Sequence, residues 1–417
     1  MGLGKTFTGA EKMIQLGANV NLVICQKSKI DDWIEHFNTY YHDYYLIFDL
    51  TNAKKFKYFF DNDIYNDKKS ELKIIGVINY ELAFRRPELL KLKDFTLMLD
   101  ESSLIQNEQA KRSKFILKLD AANIILLSGT PTGGKYELLW SQLHLLGWNI
   151  SKQLYWKQYV DTEVLDNEGY PITVVRGYKN VERLKKKMRQ YGCHFLKTED
   201  VLDLPEQVHQ TIKVNTTKEY RKFRKDCITV VHKHIEVKTN NLGDTATYDE
   251  NIQLVGDTTL TKMLYERQLC GQYNADKLAA FEDLAAGTDD RLIVFYNFTA
   301  ELDALKCICN ALKRPYSVVS GSVKDLDAYE NKNDSITLIQ YQAGAMGLNL
   351  QKANKIVYFT PTLSSELFEQ SKKRTHRIGQ QQTCFYYYLT CKGSVEEKIY
   401  KTLEMRKDYT EALFELD

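Results

Sequence analysis

Short apolar runs punctuate the first third of the chain at Asn21–Cys25 (NLVIC), Lys73–Asn79 (KIIGVIN), Phe95–Asp100 (FTLMLD) and Asn123–Ser128 (NIILLS). Each is apolar on both faces and rich in Ile, Val and Leu, the pattern of a parallel strand buried between helical layers. Amphipathic stretches separate them: Thr6–Leu16 closed by Gly17, Ile30–Tyr40 and Glu108–Leu117. This alternation predicts a doubly wound α/β sheet. The last third repeats the pattern, with strand-like runs at Leu292–Tyr296, Ser317–Ser320, Ile336–Gln340, Lys355–Phe359 and Cys384–Leu389. A final helix is predicted to start at Ser394, with Glu397 completing a capping box, and to run toward Leu413.

The middle reads differently. Tyr136–Tyr191 is helical in pattern, aromatic and Lys-rich, and Arg183–Arg189 (RLKKKMR) holds five basic residues in seven. Lys218–His234 reads as a second basic amphipathic helix with Tyr220, Phe223, Cys227 and Val230 on one stripe. Thr239–Thr259 is polar and aperiodic, a linker by composition. No tandem repeat is visible. The expected fold class is therefore α/β, with a first lobe over 1–135, a helical insertion and linker over 136–260, and a second lobe over 261–417.

Composition narrows the class. The 417 residues carry 57 Lys plus Arg against 55 Asp plus Glu, a balance of +2 that excludes a histone-like polycation and an acidic tail protein. Apolar residues at 43% and charged residues at 27% exclude a disordered chain. No apolar run reaches the roughly 18 residues of a membrane span, and no secretory core follows the N-terminus, so the cytosol is the default expectation. The eight Cys include no C-x-x-C pair and read as reduced thiols. His232 and His234 could form a metal pair on a strand, but the helical reading of their surroundings separates them.

Four motifs carry chemistry. Gly2-Leu3-Gly4-Lys5-Thr6 opens a helix. There, backbone N–H groups and the helix N-terminus can cradle phosphates, Lys5 can reach the β- and γ-phosphates, and Thr6 can hold Mg²⁺. Asp100-Glu101 ends an apolar strand, where α/β sheets place ligands. Asp100 can reach Mg²⁺ through water, and Glu101 can polarise an attacking water. Ser128-Gly129-Thr130-Pro131 ends the next strand and can sense phosphate state. Arg374 and Arg377 lie three apart, on one face if helical, and can clamp a γ-phosphoryl group. Each motif alone has a plainer explanation: a Gly-rich turn, a polar strand end, a strand-to-loop turn or a solvated basic helix end.

Taken in order, MGLGKT, LMLDES, LLSGTP, QAGAMGLNL and QSKKRTHRIGQ resemble motifs I, II, III, V and VI of the superfamily-two helicase-like ATPases, most closely the Swi/Snf-type DNA translocases. VICQKSKIDDWIEHF, VINYEL, FLKTEDVLDLPEQV and LIVFYNFTAELDAL are weaker matches that extend the likeness over essentially the whole chain. The resemblance implies two RecA-like lobes with a helical insertion, ATP and Mg²⁺ as cofactors, and duplex DNA held by its phosphates. It assigns catalysis to Glu101, Arg374 and Arg377, and nucleotide contact to Gly2, Leu3, Gly4, Lys5, Thr6, Gly347 and Gln380. Metal binding falls to Thr6 and Asp100. Nucleic-acid contact falls to Ser28, Lys29, Asn79, Tyr80, Asn297, Ala343 and Gly344, with Lys185–Lys187 adding sequence-independent attraction.

Three departures stand out. The strand that feeds the phosphate loop and the adenine-reading glutamine motif would precede Met1. Motif II reads Asp-Glu-Ser-Ser where the wider superfamily has Asp-Glu-Ala-His, and Gly134 replaces the usual Asn. The compact Tyr/Asn/Lys-rich chain resembles a phage or bacterial member acting in the cytoplasm. Three readings stay open: a DNA-stimulated ATPase and translocase, a strand-separating DNA or RNA helicase, and a nucleic-acid-binding remnant without turnover.

Overall fold

The computed structural model describes residues 4–66, 72–167, 170–196, 201–238, 245–344 and 348–414. The chain forms two compact units, Met1–Leu202 with Met405–Asp417, and Asp203–Glu404. Gly2, Leu3 and Gly347 lie outside the described residues.

The first unit is built on five parallel strands: β1 (Val20–Cys25), β2 (Tyr45–Asp49), β3 (Lys73–Asn79), β4 (Thr96–Asp100) and β5 (Asn123–Leu127). They lie in the order β2-β3-β1-β4-β5. Their apolar runs split by period two. Leu22, Ile24, Ile74, Ile78, Leu97 and Leu99 enter one core. Val23, Cys25, Ile75, Val77 and Met98 enter the opposite core with Trp33 and Phe37 of the Ile30–Tyr41 helix. Both faces are covered, which is why these runs read as continuously apolar. Packing is close enough that a Cβ on Gly76 would meet Leu50 Cδ1 at 2.5 Å.

The second unit holds a six-stranded parallel sheet of β8 (Gln207–Val214), β11 (Leu292–Tyr296), β12 (Tyr316–Val319), β13 (Ile336–Gln340), β14 (Lys355–Tyr358) and β15 (Cys384–Cys391). The order is β12-β13-β11-β14-β15-β8. Strand β11 again divides between two cores, Ile293 and Phe295 on one side and Leu292, Val294 and Tyr296 on the other. The expected α/β class with two RecA-like sheets is borne out.

The middle departs from its helical reading. Helices Trp140–Leu145, Lys152–Tyr159 and Val181–Gln190 are interrupted by an antiparallel hairpin of β6 (Val160–Asn167) and β7 (Tyr170–Tyr178). The basic helix spans only Lys218–Asp226. It stops where Cys227 turns left-handed (φ 56) and returns its N–H to Phe223. The β-branched run Ile228-Thr229-Val230-Val231 then continues as β9 (Ile228–Lys238), a signal that outweighs the helical stripe. Val230 is accordingly exposed. The segment expected to be a linker supplies β10 (Thr245–Val255), antiparallel to β9. His232 and His234 thus belong to a strand rather than to a helix. Strand β8 carries no continuous apolar run, because its alternating QVHQTIKV sequence suits a half-exposed edge position.

The last helix, Val395–Phe414, starts as expected but with different caps. Ser394 Oγ accepts from Glu396 N, and Glu397 takes the Gly393 N–H. All eight cysteines are free. Among the described residues no helix is long and apolar enough to cross a membrane.

Beneath this helix start, Lys277 Nζ meets Glu396 Oε1 at 2.6 Å with both side chains fully buried. Burial presses the ammonium toward its neutral form, but Glu396 outweighs this and holds the Lys277 pKa above its ordinary value. Glu396 Oε2 also caps the Cys391 N–H. Removing one partner strands the other charge, so Glu396→Gln and Lys277→Met should each lower unfolding free energy by roughly 3–5 kcal/mol. Chemical denaturation followed by circular dichroism measures this.

Candidate active site

All strands of the first unit's sheet are parallel, so their carboxyl ends share one edge. That edge gathers Ser28 and Lys29 after β1, Asn79 and Tyr80 at the end of β3, Asp100 and Glu101 at the end of β4, and Ser128–Pro131 after β5. The Lys5–Leu16 helix packs against β4 and β5. It starts behind Gly4, whose φ of 68 places it in the left-handed region. Among the described residues no side chain caps this N-terminus, which leaves its first N–H groups and partial positive charge without a side-chain acceptor there.

Lys5 Nζ donates to Glu101 Oε1 at 3.1 Å. The other carboxylate oxygen, Glu101 Oε2, is buried and has no hydrogen-bond partner among the described residues. Glu101 also holds a left-handed backbone (φ 52, ψ 60), a strained state for a residue of its size. Such strain and an unsatisfied acceptor mark a carboxylate held for a ligand rather than for stability.

Asp100 is fixed from two sides. Trp33 Nε1 donates to Asp100 Oδ2 at 3.0 Å, and the buried Tyr80 hydroxyl donates to the Asp100 carbonyl at 2.9 Å. Burial pushes the Asp100 pKa above the usual carboxylate range, while the Trp33 bond opposes that shift. Thr6 is exposed, one residue beyond Lys5. The donor set of an exposed hydroxyl, a half-buried carboxylate and an unpartnered carboxylate oxygen beside an ammonium fits a hydrated divalent cation with phosphates.

Two further side chains, not singled out by sequence reasoning, join the strand-end loops. Gln142 accepts from Ser102 Oγ at 2.9 Å and donates to the Pro131 carbonyl at 2.7 Å. Gln106 Nε2 donates to that same carbonyl at 3.0 Å. Thus Ser102 is tied to the Ser128–Pro131 loop through Gln142. No sequence signal marks Gln142, because it comes from a separate helix and its partner is a backbone carbonyl.

The remaining contact candidates of this edge are partly engaged. Asn79 Nδ2 donates to Glu81 Oε2 at 2.8 Å, and Lys29 pairs with Asp32 at 2.6 Å. Ser28 is exposed. Tyr80 is fully buried and acts through Asp100. In the basic Val181–Gln190 helix, Lys186 is exposed, whereas Lys185 is buried and paired with Glu182 at 2.9 Å.

The second unit repeats the shared edge, with Asn297 after β11, Ala343 and Gly344 after β13, and Thr360 after β14. Asn297 Nδ2 donates to Thr360 Oγ1 at 2.8 Å and to the Pro361 carbonyl at 3.1 Å. The fully buried Glu301 accepts from the N–H groups of Asn297 and Phe298 and from Thr360 Oγ1. Ala343 is buried.

Arg374 and Arg377 do not share a helical face. The Ser365–Lys372 helix ends before them, and both lie in the turns that follow. Arg374 Nη1 lies 3.5 Å from the Leu348 carbonyl, and Arg377 Nη1 donates to Asn349 Oδ1. Gln380, expected at the nucleotide, is buried, and its amide is spent internally. Nε2 donates to the carbonyls of Gln351, Ala353 and Thr375, while Oε1 accepts from Gln381 and Gln382. In this conformation Gln380 shapes the arginine-bearing turn.

Residues 1–275 match the SNF2-related domain, and residues 276–379 match the Helicase conserved C-terminal domain. The SWI/SNF-related matrix-associated actin-dependent regulator of chromatin subfamily A member 1 of Mus musculus is 22% identical over 97% of this chain and 40% of its own length. DNA repair and recombination protein RAD54-like of Gallus gallus is 23% identical over 80% of this chain and 50% of its own. ISWI chromatin-remodeling complex ATPase ISW1 of Saccharomyces cerevisiae is 23% identical over 98% and 38%. The chain therefore spans about half or less of the length of these relatives. A solved structure, the C-terminal part of the Fun30 ATPase domain, is 21% identical with a TM-score of 0.30 over 34% of this chain and 55% of that one.

The raised pKa of Asp100 has a sign that can be tested. Between the unfolded value near 4 and the higher folded value, the native state binds more protons, so stability falls as pH rises through that window. Asp100→Asn removes the charge and keeps an acceptor for Trp33. It should raise the thermal midpoint at pH 7, and the gain should vanish as pH falls below about 4. Differential scanning fluorimetry across pH reads this directly.

Proposed function

Because the chain belongs to the SNF2-related family of helicase-like ATPases, we propose that it hydrolyses ATP in a DNA-stimulated cycle and moves along duplex DNA. The observation that carries the catalytic half is the meeting of Lys5 and Glu101 at a helix N-terminus, with Glu101 Oε2 buried and unpartnered. Lys5 and the first N–H groups of the Lys5–Leu16 helix bind the phosphates. The free oxygen of Glu101 accepts a proton from the attacking water and orients it in line. Mg²⁺, when bound, offsets phosphate charge, and Thr6 and Asp100 would hold it. Trp33 and Tyr80 keep Asp100 in place. Motif order, rather than geometry, supports giving Arg374 and Arg377 the neutralisation of charge on the transferred phosphoryl group.

The relatives are named for chromatin remodelling and DNA repair, which supports DNA as the polymer. The exposed Ser28 and the strand-end groups of each sheet offer hydroxyl and backbone N–H donors of the kind that hold phosphate without reading sequence. Strand separation is a second reading, favoured by one observation: β9 and β10 form a long hairpin outside both parallel sheets. Displacement of a forked duplex strand would select it.

Lys5→Ala and Glu101→Gln should each lower kcat for ATP hydrolysis by at least 10²-fold, and duplex binding should be kept. Steady-state phosphate release and fluorescence anisotropy measure the two separately. Stimulation by duplex DNA but not RNA supports the translocase reading, and equal stimulation by RNA removes it.

A further inference from the structure

The basic helix Lys218–Asp226 has no part in the catalytic proposal, yet its construction is specific. Five of its nine residues are basic: Lys218, Arg221, Lys222, Arg224 and Lys225. Its inner face is locked down. Tyr220 and Phe223 are buried, and the Tyr220 hydroxyl accepts the Val395 N–H at 2.9 Å. Arg224 Nη1 grips the Gly393 carbonyl at 2.7 Å, and Thr217 caps the N-terminus.

At 100° per residue, Lys218, Arg221, Lys222 and Lys225 form a continuous arc opposite that buried face. All four are exposed. Among the described residues no carboxylate pairs with Lys218, Lys222 or Lys225, and the helix's own acids, Glu219 and Asp226, fall together on one flank. The arc is about 10 Å long, enough for its long side chains to reach neighbouring phosphates of one duplex strand. Exposed Lys392, next to Gly393, extends the positive surface.

A rigidly mounted row of unpaired cations with no exposed apolar side chain among them suits a polyanion with regular spacing. We propose that the Lys218–Lys225 face is a phosphate-backbone docking surface for duplex DNA, separate from the strand-end edge that carries Asn297, Ala343 and Gly344. The proposal rests on the reading of this chain as a DNA-acting protein. Its binding energy comes from counterion release, so it is independent of base sequence and steeply salt-dependent.

The test is equilibrium binding of labelled duplex DNA, single-stranded DNA and duplex RNA over a salt series, without nucleotide. The full chain is compared with a Lys218→Gln/Lys222→Gln/Lys225→Gln variant and a Lys→Arg variant at the same three positions. For the Gln variant the log–log salt slope on duplex DNA should shrink by about 0.9 per lost contact, and affinity at low salt should fall at least tenfold. The Arg variant should keep both, and ATP hydrolysis without nucleic acid should match the parent in each. Loss confined to single-stranded DNA or to RNA, with duplex DNA binding unchanged, overturns the duplex assignment.

Unchanged slope and affinity on all three, with unchanged thermal midpoints, overturns the proposal and points instead to an acidic protein face. A parent chain that hydrolyses no ATP but shows the Lys-dependent slope keeps this surface while removing the catalytic reading.

Discussion

A parallel strand sandwiched between helices has no place for charge along its length, and the candidate catalytic edge of this protein follows from that constraint. The middle positions of β1, β3 and β4 are committed to two cores at once, such as Leu22 and Ile24 on one side and Val23 on the other. Polar chemistry is therefore expelled to where each strand ends. Because all strands point the same way, those ends coincide at one edge. Asp100 and Glu101 are near Lys5 through this geometry, even though they are far apart in sequence.

The same constraint explains what could be read from the chain. Doubly buried strands announce themselves as apolar runs, so β1, β3, β4, β11 and β13 were legible to within a residue. The edge strands β5 and β12 were legible too, but the edge strands β2 and β8 and both hairpins were not. Strand β8 alternates polar and apolar residues on a half-exposed edge, and β9 follows directly from a helix whose stripe seemed to continue. The turn at Cys227 is set by one backbone conformation that its residue type does not advertise.

Site residues divide along similar lines. Lys5, Asp100 and Glu101 were legible as residue types in order, and the structure brings them together. The face shared by Arg374 and Arg377 was inferred from helical spacing and fails because the helix ends at Lys372. Gln380 was legible as a motif member, while its internal carbonyl partners were not. The two strand-end edges also differ in kind. Glu101 and Glu301 each keep one buried oxygen without a hydrogen-bond partner among the described residues, but Glu101 meets the Lys5 ammonium, whereas Glu301 Oε2 collects three donors from the turns after β11 and β14.

Gln142 has a consequence of its own. A single carboxamide holds a hydroxyl of the loop after β4 with one end and a carbonyl of the loop after β5 with the other. Displacing either loop breaks or rotates that amide, so the two turns must travel as a pair or lose a bond worth about 1 kcal/mol. Information about occupancy near Glu101 can thus reach a neighbouring loop through one planar group, with no long-range rearrangement of the sheet beneath it.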